Sequence, residues 1–270
     1  MDGLPRDLNG SVAVITGATQ GLGRALASAL AGLGARIVIA GREGKFARSV
    51  AAAIAGGHGV EALGVACDVA RIESVEEAWA AAMSRFGAID IWINNAGLAL
   101  TGSTIATLSS EDFRAMVEVN LLGTMHGSKV AAAGMIGRGG AIYNIHGAGS
   151  DGVPVPGMLG YGTTKRAVQF FTQAMAEEMA DSGVIVCGLS PGLVITEGFL
   201  REHARVAPER RASREAVVNL IGDHPETVAA WAAGIIRSNR DNGREFHWLD
   251  AEKIGRRKLA PDRDILSYYQ

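Results

Sequence analysis

Between residues 12 and 189, short continuous apolar runs alternate with longer amphipathic ones, and that rhythm constrains the fold more than any other feature. The runs Val12–Ile15, Arg36–Ala40, Val60–Ala66, Ile89–Ile93, Ala141–Ile145 and Val184–Leu189 read as strands. Helices are predicted from about Leu22 to Leu33, Gly44 to Ala55, Glu73 to Phe86, Ser110 to Ile136 and Tyr161 to Asp181. The strands are apolar throughout rather than alternating, which requires cover on both faces. Repeated strand–helix–strand units of this length imply an α/β fold, a doubly wound Rossmann-type parallel sheet of about six or seven strands with helices on both faces. Right-handed crossovers then put a ligand crevice at the carboxyl ends of the strands.

Composition narrows the function classes. The 270 residues suffice for a sizeable core, and no linker or composition break divides them, so 1–270 reads as a single nucleotide-binding domain. Basic and acidic residues number 26 and 28, a net charge of −2, which leaves no surplus to neutralise a nucleic-acid backbone. The longest apolar runs fall short of the ~18–20 residues that cross a bilayer. The start MDGLPRDLNG has no targeting pattern, and Cys67 and Cys187 sit inside apolar runs, so a reducing, cytoplasmic setting is expected. The six histidines lack metal-ligand spacing, so no metal is expected. Trp79 and Trp92 read as core. The 36 glycines have no period, and they suit many tight strand-to-helix turns.

After Leu189 the rhythm changes. Residues 197–223 carry Arg201, Arg205, Arg210, Arg211 and Arg214 against Glu197, Glu202, Glu209, Glu215 and Asp223. Two readings stand, a mobile lid over a substrate site or a plain solvated helix pair. A helix is expected over Pro225–Ser238, a short strand near Glu245–Leu249, and then an extended C-terminal tail over 250–270.

Three motifs carry chemistry. Thr16-Gly17-Ala18-Thr19-Gln20-Gly21-Leu22-Gly23 closes the first strand and opens the first helix. With glycine this frequent, roughly 0.6 chance matches to GxxxGxG are expected, so only its position gives the string meaning. There, bare N–H groups and the helix dipole favour a pyrophosphate; a tight turn without ligand is the alternative. Asn94-Asn95-Ala96-Gly97 follows the fourth strand, where Asn side chains tie loops or face a cofactor ring. Tyr161 and Lys165, in YGTTK, are four apart on one helix face. A phenol of ordinary pKa, about 10, is a poor acid–base at neutral pH, and a nearby ammonium lowers it.

In this order and on these elements, the motifs resemble the short-chain dehydrogenase/reductase family over about residues 10–200, together with Cys67-Asp68-Val69, Asn120 and Ser190-Pro191-Gly192-Leu193-Val194-Ile195-Thr196. The resemblance implies an NAD(P)-dependent oxidoreductase acting on a small carbonyl or alcohol. Gly17, Gly21 and Gly23 would line the pyrophosphate, with Thr19, Gln20 and Leu22 beside them. Asp68 and Val69 would hold the adenine, and Asn94, Ala96 and Gly97 the adenosine side. Pro191, Gly192, the Val194 backbone and Thr196 would hold the nicotinamide. Tyr161 would give a proton to the developing oxyanion, Lys165 would lower the Tyr pKa and bond the ribose, and Asn120 would hold a relay water. Relatives form homodimers or homotetramers through the helices around 110–136 and 161–181.

One member departs. The family Ser stands three residues after the strand-five Asn, about thirteen before the Tyr, but here those positions are Gly147 and Ala148. Ser150 is the nearest hydroxyl and is expected to take the role; otherwise it caps a turn and the role is vacant or falls to His146. The run GAGSDG before YGTTKRAV, IDIWI before NNAG, and LSPG resemble the chlorophyll(ide) b reductase branch, whose members reduce a formyl group with NADPH. Another carbonyl substrate fits equally.

The second strand ends Ala40-Gly41-Arg42. An acid there would accept from a ribose 2′-OH, whereas Arg42 would meet a 2′-phosphate, so NADP(H) is favoured and NAD(H) is the alternative. A surface arginine is the bland reading. Ala148–Gly152 misses the hydrolase elbow, because Val153-Pro154-Val155-Pro156 cannot open a helix. A cofactor-binding regulator and an enzyme working as an alcohol dehydrogenase remain alternatives.

Overall fold

A computed structural model describes residues 7–204, 208–260 and 263–269. Its strands are β1 (Val12–Thr16), β2 (Arg36–Gly41), β3 (Ala62–Ala66), β4 (Ile91–Asn94), β5 (Gly140–Ile145), β6 (Val184–Ser190), β7 (Leu193–Val194), β8 (Gly222–Asp223) and β9 (Glu245–His247). The helices are α1 (Gly21–Ala31), α2 (Gly44–His58), α3 (Ile72–Phe86), α4 (Ser110–Met116), α5 (Gly123–Met135), α6 (Leu159–Glu178), α7 (Glu197–His203), α8 (Pro208–Ile221), α9 (Pro225–Ser238) and α10 (Ala251–Lys258).

Seven strands form one parallel sheet in the order β3-β2-β1-β4-β5-β6-β9, as the continuous apolar runs require. One face buries α1, α2 and α9, through residues such as Leu26, Ile54 and Ile236. The other buries α3, α5 and α6, through Val75, Ala131 and Met175. Trp92 on β4 is fully buried and packs against Trp79 with ring centroids 5.8 Å apart. Each large side chain so buried contributes about 1.5–3 kcal/mol. The strand order reverses between β1 and β4, which opens a crevice at their carboxyl ends.

The long helix expected over 110–136 is interrupted. Val117–Leu122 winds as a π-helical segment between α4 and α5 and carries Asn120. Such bulges mark functional sites more often than plain helix, and nothing in the local periodicity announced this one.

Over the sheet's carboxyl edge lies a cap. The strands β7 and β8 pair in parallel, joining Leu193 to Gly222 and Val194 to Asp223. The segment 250–270, expected to be an extended tail, instead forms α10 and a short 3-10 turn at Leu266–Tyr269. Asp250 caps α10 by accepting the Lys253 N–H at 2.7 Å, and Glu252 pairs with Arg256 one turn on. Asp223 anchors the cap. Its buried carboxylate takes Arg257 at 2.8 and 2.6 Å, Arg263 at 2.8 Å, and the Trp248 indole N–H. Ile265 and Leu266 are buried with Ile195 and Val218, and the Tyr269 hydroxyl reaches the Ile195 carbonyl at 3.3 Å. The 197–223 insert does form helices, but Asp223 belongs to the buried anchor rather than a solvated face. Arg205 and the side chains of Glu209, Arg210 and Arg211 lie outside the described residues.

Candidate functional site

The glycine motif forms the turn between β1 and α1. Gly17 and Gly21 have φ of 63° and 56°, a region that side chains resist. A Cβ on Gly17 would lie 2.7 Å from the Ala96 Cα, and one on Gly23 would lie 2.4 Å from the Asn95 amide nitrogen. Asn95 is the tie. Its amide donates to the Thr16 carbonyl at 2.8 Å, while the Thr16 hydroxyl accepts the backbone N–H groups of Asn95 and Ala96 at 3.0 and 3.1 Å. The motif after β4 therefore braces the glycine turn across 79 residues of chain. A bare backbone surface of this kind at the start of a helix accepts a phosphate group closely, so the chain's own residues fit a dinucleotide.

Around that turn, Thr19 packs over Gly41, and Gln20 and Arg42 are exposed. Arg42 directly follows β2 and makes no ion pair among the described residues. Leu22 packs at the edge of the core. Asp68 follows β3, half-buried, with one carboxylate oxygen accepting the Ala70 N–H at 3.1 Å. Val69 is buried against Gly123.

Asn94 departs from expectation. Its side chain is turned inward, donating to Ser128 at 2.9 Å and Asn144 at 2.8 Å and accepting the Trp92 indole N–H at 2.8 Å. It ties β4 to β5 and α5, and no part of its amide is left to face an adenosine. The reason is burial, because an amide at 3% exposure must spend its hydrogen bonds inside the protein.

The remaining residues converge beside the crevice. A Cβ on Gly97 would lie 3.6 Å from Asn120 Oδ1 and 3.9 Å from Lys165 Nζ. Asn120 is fully buried; its side chain clamps Leu98, accepting its N–H at 2.7 Å and donating to its carbonyl at 2.9 Å. It also donates to Thr164 at 3.0 Å, and its own carbonyl accepts the Thr124 hydroxyl at 2.7 Å. Lys165 donates to the Ile145 carbonyl at 2.8 Å, and its Nζ stands 5.8 Å from the Tyr161 ring centroid. On the far wall Pro191 is buried, and a Cβ on Gly192 would lie 2.6 Å from Leu249. Val194 pairs with β8, and Thr196 caps α7 while its methyl lies against Gly21.

The Tyr161 hydroxyl sits directly over Gly147, where a Cβ would come within 2.3 Å of it. A side chain at the position three after Asn144 would require the Tyr161 ring to shift from where it stands. Ser150 closes a turn by donating its N–H to the Gly147 carbonyl at 3.0 Å. It is buried, and its hydroxyl makes no hydrogen bond among the described residues. The His146 ring is occupied elsewhere, against Gly188 and Thr172.

Electrostatics correct a second expectation. Burial pushes Tyr161 up to about 12 and pulls Lys165 down to about 8. Desolvation therefore outweighs any lowering of the phenol by the ammonium. Thr16, Asn95 and Thr164 were not singled out from the sequence; only the second Asn of Asn94-Asn95 carried a hint.

A family model described as short chain dehydrogenase matches residues 11–205. The chain belongs to the short-chain dehydrogenase family. It has the family's fold. It is 36% identical over 231 residues to chlorophyll(ide) b reductase NOL, chloroplastic, of Arabidopsis thaliana, covering 83% of this chain and 65% of that protein. It is also 36% identical to the 3-oxoacyl-[acyl-carrier-protein] reductase FabG of Aquifex aeolicus, covering 70% of this chain and 76% of that one. The L-sorbose reductase of Gluconobacter frateurii, solved with NADPH and L-sorbose, superposes with a TM-score of 0.80 at 26% identity, over 90% of this chain and 97% of that one. The chain spans between half and about two thirds of the length of the plant reductases it matches.

Proposed function

We propose that the protein is an NADP-dependent carbonyl reductase, with Tyr161 as proton donor. The observation that carries this reading is Tyr161 itself. Its hydroxyl faces a bare glycine beside the crevice, and its pKa, pushed up to about 12 by burial, keeps it protonated at neutral pH. Reduction of a carbonyl needs such an acid, whereas alcohol oxidation needs the phenolate.

Gly17, Thr19, Gln20, Gly21, Leu22 and Gly23 would hold the pyrophosphate, and Arg42, exposed and without an ion pair among the described residues, a 2′-phosphate. Asp68, Val69, Ala96 and Gly97 would line the adenosine side, and Pro191, Gly192, Val194 and Thr196 the nicotinamide. The chemistry a bound nicotinamide supplies is hydride transfer to carbon. Tyr161 gives its proton to the carbonyl oxygen. Lys165, with a pKa brought down to about 8, is charged at neutral pH and can return that proton. Asn120 holds Leu98 and Thr164 and so keeps the crevice wall in register. Ser150 supplies a second hydrogen bond to the substrate oxygen.

The substrate is a small or extended carbonyl compound, and formyl chlorins are tried first because the NOL relative is named a chlorophyll(ide) b reductase. The exposed Phe113, Leu122, Met125 and Phe170 on α4, α5, α6 and the π-segment suit a homodimer or homotetramer. Two buried free cysteines suit a cytoplasmic setting; among the described residues no helix is long and apolar enough to cross a membrane.

The test begins with fluorescence titrations of NADPH and NADH, followed by NADPH oxidation over an aldehyde and ketone panel. Tight NADPH binding and turnover abolished by Tyr161→Phe are expected. Turnover unchanged in that variant would overturn the mechanism, and binding without turnover of any carbonyl would favour a regulator.

A further inference from the structure

Two stripes run side by side along α6 at helical spacing, Tyr161, Lys165, Val168 and Thr172 in one, Gly162, Arg166, Gln169 and Gln173 in the other. The first meets the end of β5. Tyr161 lies over Gly147, Lys165 donates to the Ile145 carbonyl, and Thr172 accepts from Asn144. The second meets the segment that follows. A Cβ on Gly149 would come within 2.8 Å of the Gly162 Cα, so bare backbone lies on bare backbone there. One turn further on, Arg166 Nη1 donates to the Ser150 carbonyl at 2.9 Å.

The segment 147–152 has little of its own to hold it. Three of its six residues are glycine, and Gly149 and Gly152 have φ of 87° and 84°. Its internal hydrogen bonds close two successive turns, Ser150 N–H to the Gly147 carbonyl at 3.0 Å and Gly152 N–H to the Gly149 carbonyl at 3.1 Å. Asp151 accepts only the nearby Val153 N–H, at 2.9 Å. Among the described residues, the bond from Arg166 is the single one that reaches 147–152 from beyond residue 153. Arg166 is itself held. Its Nη1 also donates to Gln169 Oε1 at 3.0 Å, and Gln169 Nε2 donates to Glu245 Oε1 at 2.7 Å, an oxygen that takes Gln173 at 3.0 Å as well. A carboxylate only accepts and a guanidinium only donates, so the buried Gln169 amide between them has one orientation. Glu245 stands on β9, paired with Gly188 of β6. The chain Glu245–Gln169–Arg166 thus ties the turn to the sheet.

Ser150 gains a fixed place from this tie. The two ends of such a turn lie within about 7 Å, so Ser150 stands close to the glycine beneath the Tyr161 hydroxyl. Its own hydroxyl has no partner, yet its oxygen is not among the sealed, unpartnered atoms, and so it keeps an opening to the outside. We propose that Arg166 is the positioning residue of Ser150. By gripping the Ser150 carbonyl against α6, it fixes beside Tyr161 a hydroxyl that a loop half made of glycine would otherwise let wander. The proposal rests on the reading of Ser150 as the second hydrogen bond to the substrate oxygen. Arg166 touches neither substrate nor cofactor in this role and acts through the turn alone.

The first test needs no activity. In Arg166→Met, which keeps the apolar stem, the amide hydrogens of Ser150 and Gly152 should exchange with solvent about tenfold faster or more, while those of β5 and α6 stay unchanged. Unchanged exchange at Ser150 and Gly152 overturns the grip. The second is a double-mutant cycle on carbonyl turnover with Ser150→Ala. Arg166→Met and Ser150→Ala are each expected to lower kcat about tenfold and leave the KM for NADPH unchanged, and the double variant should be no slower than Ser150→Ala alone. Losses that multiply in the double variant overturn the proposal, because Arg166 would then act elsewhere, as at a subunit contact. Full turnover in Ser150→Ala, with Tyr161→Phe inactive, removes the role of Ser150 and the proposal with it but leaves the reductase reading intact. Wild-type protein that binds NADPH and reduces no carbonyl defeats the reductase reading itself, whatever the exchange rates show.

Discussion

The sheet with its glycine turn and the cap above it are built by different rules. From β1 to β6 the elements follow from local pattern, and their contacts are mostly apolar and repeated. The cap is held at one point by charge. Asp223 meets Arg257 and Arg263 across 34 and 40 residues of chain, and Trp248 across 25. A sheet face tolerates exchange of one apolar residue for another, whereas removing a buried carboxylate shared by two guanidinium groups leaves both charges unpaired. The difference also divides labour. The sheet region carries Tyr161, Lys165 and the glycine turn, while the cap anchor sets the strand that leads to Thr196.

Chemistry should separate the two regions most sharply. Tyr161→Phe is expected to lower carbonyl turnover by about 10²–10⁴-fold, with little change in melting temperature or NADPH binding. A parallel loss of stability would mean that Tyr161 is structural like its neighbours in the core. The cap should show the opposite behaviour. Asp223→Ala strands two arginines and is expected to cost about 3 kcal/mol in urea unfolding, with new protease cuts confined to residues 193–269. Uniform cleavage, or no loss, would show that Ile195, Val218, Ile265 and Leu266 hold the cap without the ion pairs.

Gly17→Ala tests the sheet region by backbone. The positive φ and the approach to Ala96 predict a loss of about 1–3 kcal/mol and much weaker NADPH fluorescence enhancement. Lys165 provides a pH signature. Burial lowers its pKa from 10.5 to about 8, so above about pH 8 the native amine has lost a proton that the unfolded chain keeps. The unfolded state then binds more protons, and stability rises with pH by about 1–3 kcal/mol between pH 8 and 10. Above about pH 10 the trend reverses, because Tyr161 ionises first in the unfolded chain. Urea titrations of wild type and Lys165→Met should differ by that slope, and equal slopes would leave Lys165 without its buried charge. The smallest effect is expected at the exposed Arg42. Arg42→Ala should weaken NADPH about tenfold, about 1.4 kcal/mol, and leave NADH unchanged.

Much of the sheet region was legible because its signals are short-range. Continuous apolar runs, helical periodicity and a glycine turn each span a few residues, so the strands and helices up to Ser190 emerged near their observed limits. Tyr161 and Lys165 were legible for the same reason, being one turn apart on one helix. Arg42 stood out because β2 ends just before it. The π-segment at Asn120 was hidden, since an extra residue in a helical turn leaves no mark in composition.

The sequence by itself determined the doubly wound sheet, the glycine turn, and the Tyr–Lys pair, because each rests on neighbours along the chain. Only the tertiary structure decided that Asn94 faces inward, that the Tyr161 hydroxyl lies over Gly147, and that the His146 ring lies over Gly188. It alone made Asp223 a buried anchor and turned the expected tail into part of the cap. Those outcomes depend on contacts between residues far apart in sequence and on desolvation, and desolvation is a property of the folded interior.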